Sequence, residues 1–212
     1  MRLEDALRLI VITDKKLKPN VLKSVEDALK GGATSIQLRL KESSTREMVE
    51  LGKEIRRLTH DYNALYFVDD RLDVALATDA DGVQLGPEDM PIHVAREIAP
   101  SLLIGASVYG LEEALMAERE GAHFLGAGSV YPTTSKADVR VIGIKGLRDI
   151  VNSVKIPVVA IGGINKDNAV EVLRTGVTGI AVISAVMASD DVERATRELR
   201  EIVDRELTST RR

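Results

Sequence analysis

The chain predicts one α/β domain folded as a closed (β/α)8 TIM barrel, and three observations carry that prediction. Short β-branched runs alternate with amphipathic helical stretches, the unit recurs eight times within 212 residues, and the first strand-to-helix turn lacks a glycine fingerprint. Strand–helix alternation calls for parallel strands joined by crossover helices. Eight such units in roughly 200 residues fit a closed barrel at the compact end of its size range. An open doubly wound sheet normally opens with a glycine-rich turn, whereas this first strand runs into "ITDKKLKP".

The expected strands are Leu9–Asp14, Ser35–Lys41, Leu65–Asp70, Gly82–Gly86, Leu102–Val108, Phe124–Val130, Pro157–Gly163 and Gly179–Ala185. Each is a short, largely aliphatic run, and most end at Asp, Gly or Lys or start at Gly or Pro. Between them, apolar residues at helical spacing predict helices over Val21–Lys30, Arg46–Thr59, Leu111–Glu120 and Asn168–Arg174, with a last helix over Val192–Glu206. Only a short helix fits near Asp73–Thr78. No Pro/Gly-rich linker divides the chain, so residues 1–207 are expected to form one domain and 208–212 a disordered tail.

Composition removes several function classes. The net charge of −4 leaves no basic footprint for nucleic acid, and two Phe with no Trp give few surfaces on which bases could stack. No run of about 18 apolar residues is present, so no membrane span is expected. The opening "MRLEDALRLIVITD" carries acids before its apolar run and no small-residue cleavage site, which points to the cytoplasm. With no Cys there is no disulfide, thiolate nucleophile or thiolate-held metal. His60, His93 and His123 lie far apart, off any zinc-ligand spacing and away from the strand C-termini. Few amides and abundant charge match the composition of heat-adapted proteins. A homo-oligomer is compatible with all of this.

In a barrel of this type the active site lies at the C-terminal ends of the strands, and the unusual polar residues fall there. In "QLRLK", alternation puts Gln37, Arg39 and Lys41 on one face and two leucines on the other. An amide and two cations turned into the lumen need partners, either a polyanion or a structural ion-pair network with Asp70 or Asp14. The third strand ends "VDDR" and the fourth runs into "LGPEDMP", so Asp69, Asp70 and Asp89 are expected at one rim. Oxygen-only ligands select a hard cation such as Mg2+, commonly shared with substrate phosphates. The alternative is that one acid caps a helix and another pairs with Arg71.

The seventh and eighth strands end "AIGGIN" and "AVISAV". Gly162 and Gly163 would let backbone approach a phosphate, or else merely permit a tight turn; Ser184 adds a hydroxyl. "GAGSVYPTTSK" on the sixth loop could reach between the two regions. Two phosphorylated substrates are the simplest reading, and one bisphosphorylated substrate also fits. No Ser–His pair or well-placed histidine base is visible, so the chemistry expected is one without a protein nucleophile, such as metal-assisted loss of diphosphate.

Taken together, "QLRLK", "DDR" followed by "DGVQLGPEDMP", "IGASV", "VYPTTSK", "PVVAIGGIN" and "GIAVISAV" resemble thiamine phosphate synthase, in order and spacing, from Val11 to Ala188. The resemblance implies an Mg2+-dependent transferase. Its small-molecule substrates would be 4-amino-2-methyl-5-hydroxymethylpyrimidine diphosphate and 4-methyl-5-(2-hydroxyethyl)thiazole phosphate, giving thiamine phosphate and diphosphate by a dissociative route. It further implies that Gln37, Arg39 and Lys41 hold the pyrimidine diphosphate, Asp70 and Asp89 bind Mg2+, and Ser107 and Lys136 contact the diphosphate. Arg39, Lys41, Ser107 and Lys136 would be the catalytic groups. Thr133 and Ser135 would meet the thiazole phosphate, together with Gly163, Ile183 and Ser184. Two positions depart from the family pattern: Asp69 stands where Asn is usual, and Ser135 where Thr is usual. An ionised Asp69 cannot donate a hydrogen bond; it repels a diphosphate unless a metal or lysine screens it, or else accepts from the pyrimidine amino group. The rival readings are a thiazole tautomerase, a non-catalytic sensor of thiamine precursors and, more distantly, a phosphosugar isomerase of the same fold.

Overall fold

The eight aliphatic runs pair side by side in chain order and close on themselves. A computed structural model describes residues 2–133 and 140–209. The strands are β1 (Leu9–Ile12), β2 (Ser35–Leu38), β3 (Leu65–Asp69), β4 (Gly82–Leu85), β5 (Leu103–Val108), β6 (Phe124–Ala127), β7 (Val158–Ile161) and β8 (Gly179–Val182). All neighbours are parallel, and β8 closes onto β1 with Leu9 opposite Ile180 and Val11 opposite Val182. This is a (β/α)8 TIM barrel in a single domain.

The helices are α1 (Leu3–Ala6), α2 (Val21–Lys30), α3 (Thr45–Asp61), α4 (Leu72–Ala77), α5 (Ile92–Ile98), α6 (Leu111–Arg119), α7 (Gly143–Ser153), α8 (Ala169–Leu173), α9 (Ser184–Met187) and α10 (Val192–Ser209). In α2, Val21, Val25, Ala28 and Leu29 recur at helical spacing and are buried, and the Asn20 side chain caps the first turn by accepting from Lys23 N–H. Ser44 caps α3 in the same way, accepting from Glu47 N–H. The last helix continues through Thr208 and Ser209, into the segment expected to be a tail.

Two hydrophobic layers position the rim. The outer layer packs leucines, valines and alanines of the strands against the helices. The inner layer fills the lumen with Leu7, Ile10, Ile12, Phe67, Phe124, Val159 and Ala181. Phe67 and Phe124 meet edge-on, with ring centroids 5.3 Å apart and planes at 66°. At the N-terminal end, Leu3 of α1 packs against this cluster, while Ser35 Oγ donates to the Ala6 carbonyl at 2.6 Å. The lumen is therefore a packed apolar floor, and polar side chains above it face the C-terminal rim.

Several expected strands run past the observed pairing at their C-terminal ends, most clearly β2, which pairs only to Leu38. Thr13 takes up the next residue: Arg39 N–H donates to Thr13 Oγ1 at 2.9 Å, and Thr13 Oγ1 donates to the Arg39 carbonyl at 3.1 Å.

Candidate active site at the C-terminal rim

The polar residues of β2 and β3 meet as the alternation predicts. Gln37 is buried and donates through Nε2 to Asp69 Oδ1 at 2.7 Å. Arg39 lies between two acids, with Nη1 3.5 Å from Asp14 Oδ2 and Nε 3.8 Å from Asp69 Oδ2. Lys41 Nζ is 3.8 Å from Asp69 Oδ2 and donates to Asp70. The ion-pair network with Asp14 and Asp70, one of the two readings of "QLRLK", thus exists at the rim.

Asp70 occupies the left-handed region, with φ 65°, where a non-glycine residue is strained by about 1–3 kcal/mol. Its N–H donates to the Gln84 carbonyl at 2.8 Å, which holds the turn just after β3. The turn brings the Asp70 carboxyl close enough to Asp89 for its charge to raise that acid. Asp89 also accepts from Gly86 N–H at 2.6 Å. Neither α4 nor α5 has a side-chain cap, and Arg71 turns away to Asp73 and Thr45. The helix-cap and Arg71 readings of these acids are therefore not what the fold builds.

Electrostatics follow from crowding. Burial, reinforced by the negative charge of Asp70, pushes the Asp69 carboxyl up to about 6, against the pull of Lys41 and Arg39. Burial also raises Asp89; the Gly86 N–H opposes this and the Asp70 charge adds to it. Burial alone would lower Lys41, but its hydrogen bond to Asp70 and the charges of Asp69 and Asp70 outweigh that and raise it. Two carboxylates this close repel unless a cation or a proton lies between them. Asp70 and Asp89 hence fit a hard divalent ion with oxygen-only donors. Among the described residues no group of three or more His, Cys, Asp or Glu forms a complete cage.

On the other side of the rim the backbone dominates. Val130 N–H donates to the Ile161 carbonyl at 3.0 Å and Tyr131 N–H to the Gly162 carbonyl at 3.1 Å, so the loops after β6 and β7 lie against each other. Gly163 has φ 65°, and a Cβ there would sit 2.7 Å from both the Pro132 carbonyl oxygen and Tyr131 Cβ. Tight packing of the glycine pair is therefore realised. Ile183 precedes the four-residue α9, and Ser184, its first residue, is exposed. A cavity of about 550 Å³ is lined by Asp14, Lys15, Arg39, Lys41 and Ser184, so the β2 cations and the β8 end share one space.

Thr133 is half-buried at the edge of the described chain, whereas Ser135 and Lys136 lie outside the described residues. His123 lies at the opposite end of the barrel. It accepts from Ile104 N–H through Nδ1 at 2.9 Å, and burial, then the Arg96 charge, lowers it. The sequence reading passed over Gln84 and Thr13. Gln84 carried a usable signal, because "GVQLG" alternates as "SIQLRLK" does and turns its amide into the lumen. Thr13 carried none, since its partner is the backbone of a residue 26 positions away.

A model of the family described as thiamine monophosphate synthase matches residues 9–186. The chain belongs to the thiamine monophosphate synthase family. It is 70% identical over 204 residues to the thiamine-phosphate synthase of Pyrococcus furiosus, covering 96% of this chain and 98% of that one. It is 50% identical over 203 residues to the thiamine-phosphate synthase of Methanococcus maripaludis, with 96% and 98% covered. The solved structure of thiamine phosphate pyrophosphorylase from Pyrococcus furiosus superimposes with a TM-score of 0.94 at 68% identity, covering 97% of this chain and all of that one. The chain is accordingly an enzyme of thiamine biosynthesis, a transferase that forms thiamine phosphate. These relatives do not favour the tautomerase or sensor readings. Among the described residues no helix is long and apolar enough to cross a membrane.

Proposed function

We propose that the enzyme joins 4-amino-2-methyl-5-hydroxymethylpyrimidine diphosphate to 4-methyl-5-(2-hydroxyethyl)thiazole phosphate through a dissociative displacement. The observation that carries this reading is the convergence of Gln37, Arg39 and Lys41 with Asp70 and Asp89 at one side of the rim. A diphosphate leaving group needs that combination of cationic donors and carboxylates able to hold Mg2+.

Arg39 and Lys41, with Ser107 and Lys136, bind the diphosphate and stabilise the charge it gains as the methylene C–O bond breaks. The bonding pair leaves with the diphosphate, and the electron-rich aminopyrimidine carries the resulting cation. The thiazole nitrogen then donates its lone pair to form the C–N bond, so no protein nucleophile is required. Mg2+, held by Asp70 and Asp89, would neutralise charge on the diphosphate oxygens. Gln37 orients the pyrimidine, and Asp69, fixed by the Gln37 amide, is placed to accept from its amino group. The thiazole phosphate sits against Thr133, Ser135 and the backbone of Gly163, Ile183 and Ser184. The reading is tested by incubating the protein with both precursors, with and without Mg2+, and oxidising any thiamine phosphate to fluorescent thiochrome. Mg2+-dependent fluorescence is expected. A folded protein that binds thiazole phosphate yet forms no product would overturn the assignment.

A further inference from the structure

We propose that Gln84 is a positioning residue for diphosphate departure, acting through Ser107. This rests on the reading above, in which Ser107 contacts the diphosphate. Gln84 is a buried amide on β4 whose Nε2 donates to Ser107 Oγ, one strand away, at 3.1 Å. A hydroxyl has one proton to donate and two lone pairs. Accepting from Gln84 occupies a lone pair and leaves the Ser107 proton available to an anion at the rim. A carboxylate at position 84 would reverse this, drawing the proton down into the barrel.

The surroundings keep the amide in place. Gln84 lies opposite Asp69 on one side and Gly105 on the other. A Cβ on Gly105 would collide with Gln84 Oε1, and one on Gly126 would lie 2.9 Å from Nε2. Two side-chain-free positions on β5 and β6 thus form the slot that the amide crosses to reach Ser107. The Gln84 carbonyl meanwhile accepts from Asp70 N–H at 2.8 Å. One residue therefore fixes the Asp70 turn with its backbone and the Ser107 hydroxyl with its side chain. Burying an amide where an aliphatic chain would fit is costly without such a bond, so the slot is shaped for a donor.

The test compares Gln84→Met, which keeps length and loses the donor, with Gln84→Glu, Ser107→Ala, and Gln84→Met on a Ser107→Ala background. Inhibition by inorganic diphosphate and the KM for thiazole phosphate are measured on each, with thermal melts to confirm folding. Gln84→Met is expected to weaken diphosphate inhibition about five- to tenfold, the effect of one misplaced hydrogen bond. It should leave the thiazole phosphate KM within about twofold and add nothing once Ser107 is alanine. Gln84→Glu is expected to be worse than Gln84→Met. Equal losses with and without the Ser107 hydroxyl, or parallel effects on both ligands, would show a merely structural amide and overturn the proposal. If Ser107→Ala alone leaves diphosphate inhibition unchanged, the Ser107 assignment itself fails and the proposal with it, a result visible without any Gln84 variant.

Discussion

The two sides of the barrel mouth are built from different chemistry. On β2 to β5 the inward side chains near the rim are Gln37, Asp69, Gln84 and Ser107, crowned by Arg39, Lys41, Asp70 and Asp89. On β1 and β7 and just past β8, the corresponding lumen residues are Ile12, Ile161 and Ile183, which belong to the apolar plug or pack on it. Polar groups on that side come instead from the loops, as backbone and Ser184 after β7 and β8 and as Asp14 and Lys15 after β1. The difference suits the proposed ligands. A phosphate monoester can be held by N–H groups, whereas a departing diphosphate needs mobile countercharge.

The charged side also bears on the proposed cation. Arg39 and Lys41 are already engaged by Asp14, Asp69 and Asp70, so no charge is buried without a partner. A diphosphate arriving alone would have to compete with those carboxylates. A divalent ion held by Asp70 and Asp89 would remove that competition and leave Lys41 to the diphosphate.

The largest effect is expected at Asp70. Asp70→Ala should lower kcat about 10²- to 10³-fold, as removal of a group stabilising transition-state charge does, with the thermal midpoint little changed. A wild-type rate in the thiochrome assay would remove Asp70 from the mechanism. The opposite side is probed by Gly163→Val, which forces a β-branched residue to φ 65° and against Tyr131 and Pro132. At about 1–3 kcal/mol of strain, the KM for thiazole phosphate should rise roughly tenfold and that for the pyrimidine diphosphate far less. Equal increases would contradict the division of the rim into two sites.

A smaller effect concerns Asp69. Its folded value of about 6 lies above the ordinary 3.8, so between those values the native state holds a proton that the unfolded chain has released. The associated stability is full below about pH 3.8 and is lost as pH rises through 6. In chelator, Asp69→Asn should therefore be more stable than wild type at pH 8 by on the order of 2 kcal/mol and equal to it near pH 4. Parallel denaturation midpoints across that range would show that burial of this charge carries no cost. The smallest effect is expected at Lys16, whose pair with Glu42 is largely exposed. Lys16→Ala should leave the thermal midpoint unchanged, and a clear drop would mean the β1 loop is structurally coupled to the charged side.

The same contrast explains what the sequence revealed. Eight β-branched runs and the alternation in "QLRLK" made the barrel and its charged side legible, because period-two patterning states directly which residues face inward. The β7 glycines were ambiguous for a physical reason: close approach to a ligand and close approach to the Tyr131 loop need the same missing Cβ. The four-residue helices α1 and α9 are too short to display a helical period. Strand ends were read too long because the chain turns at its rim residues: Asp70 and Gly163 sit at positive φ, and Arg39 bonds the Thr13 hydroxyl instead of a ladder partner.

The central claim is that divalent metal serves the diphosphate side alone. Calorimetric titration of the protein with inorganic diphosphate and, separately, with thiazole phosphate, each with and without Mg2+, tests it most directly. The account predicts that Mg2+ strengthens diphosphate binding at least about tenfold, one released ion-pair partner being on the order of 1.4 kcal/mol, and leaves thiazole phosphate binding unchanged. Equal strengthening of both ligands, or none of either, would contradict it.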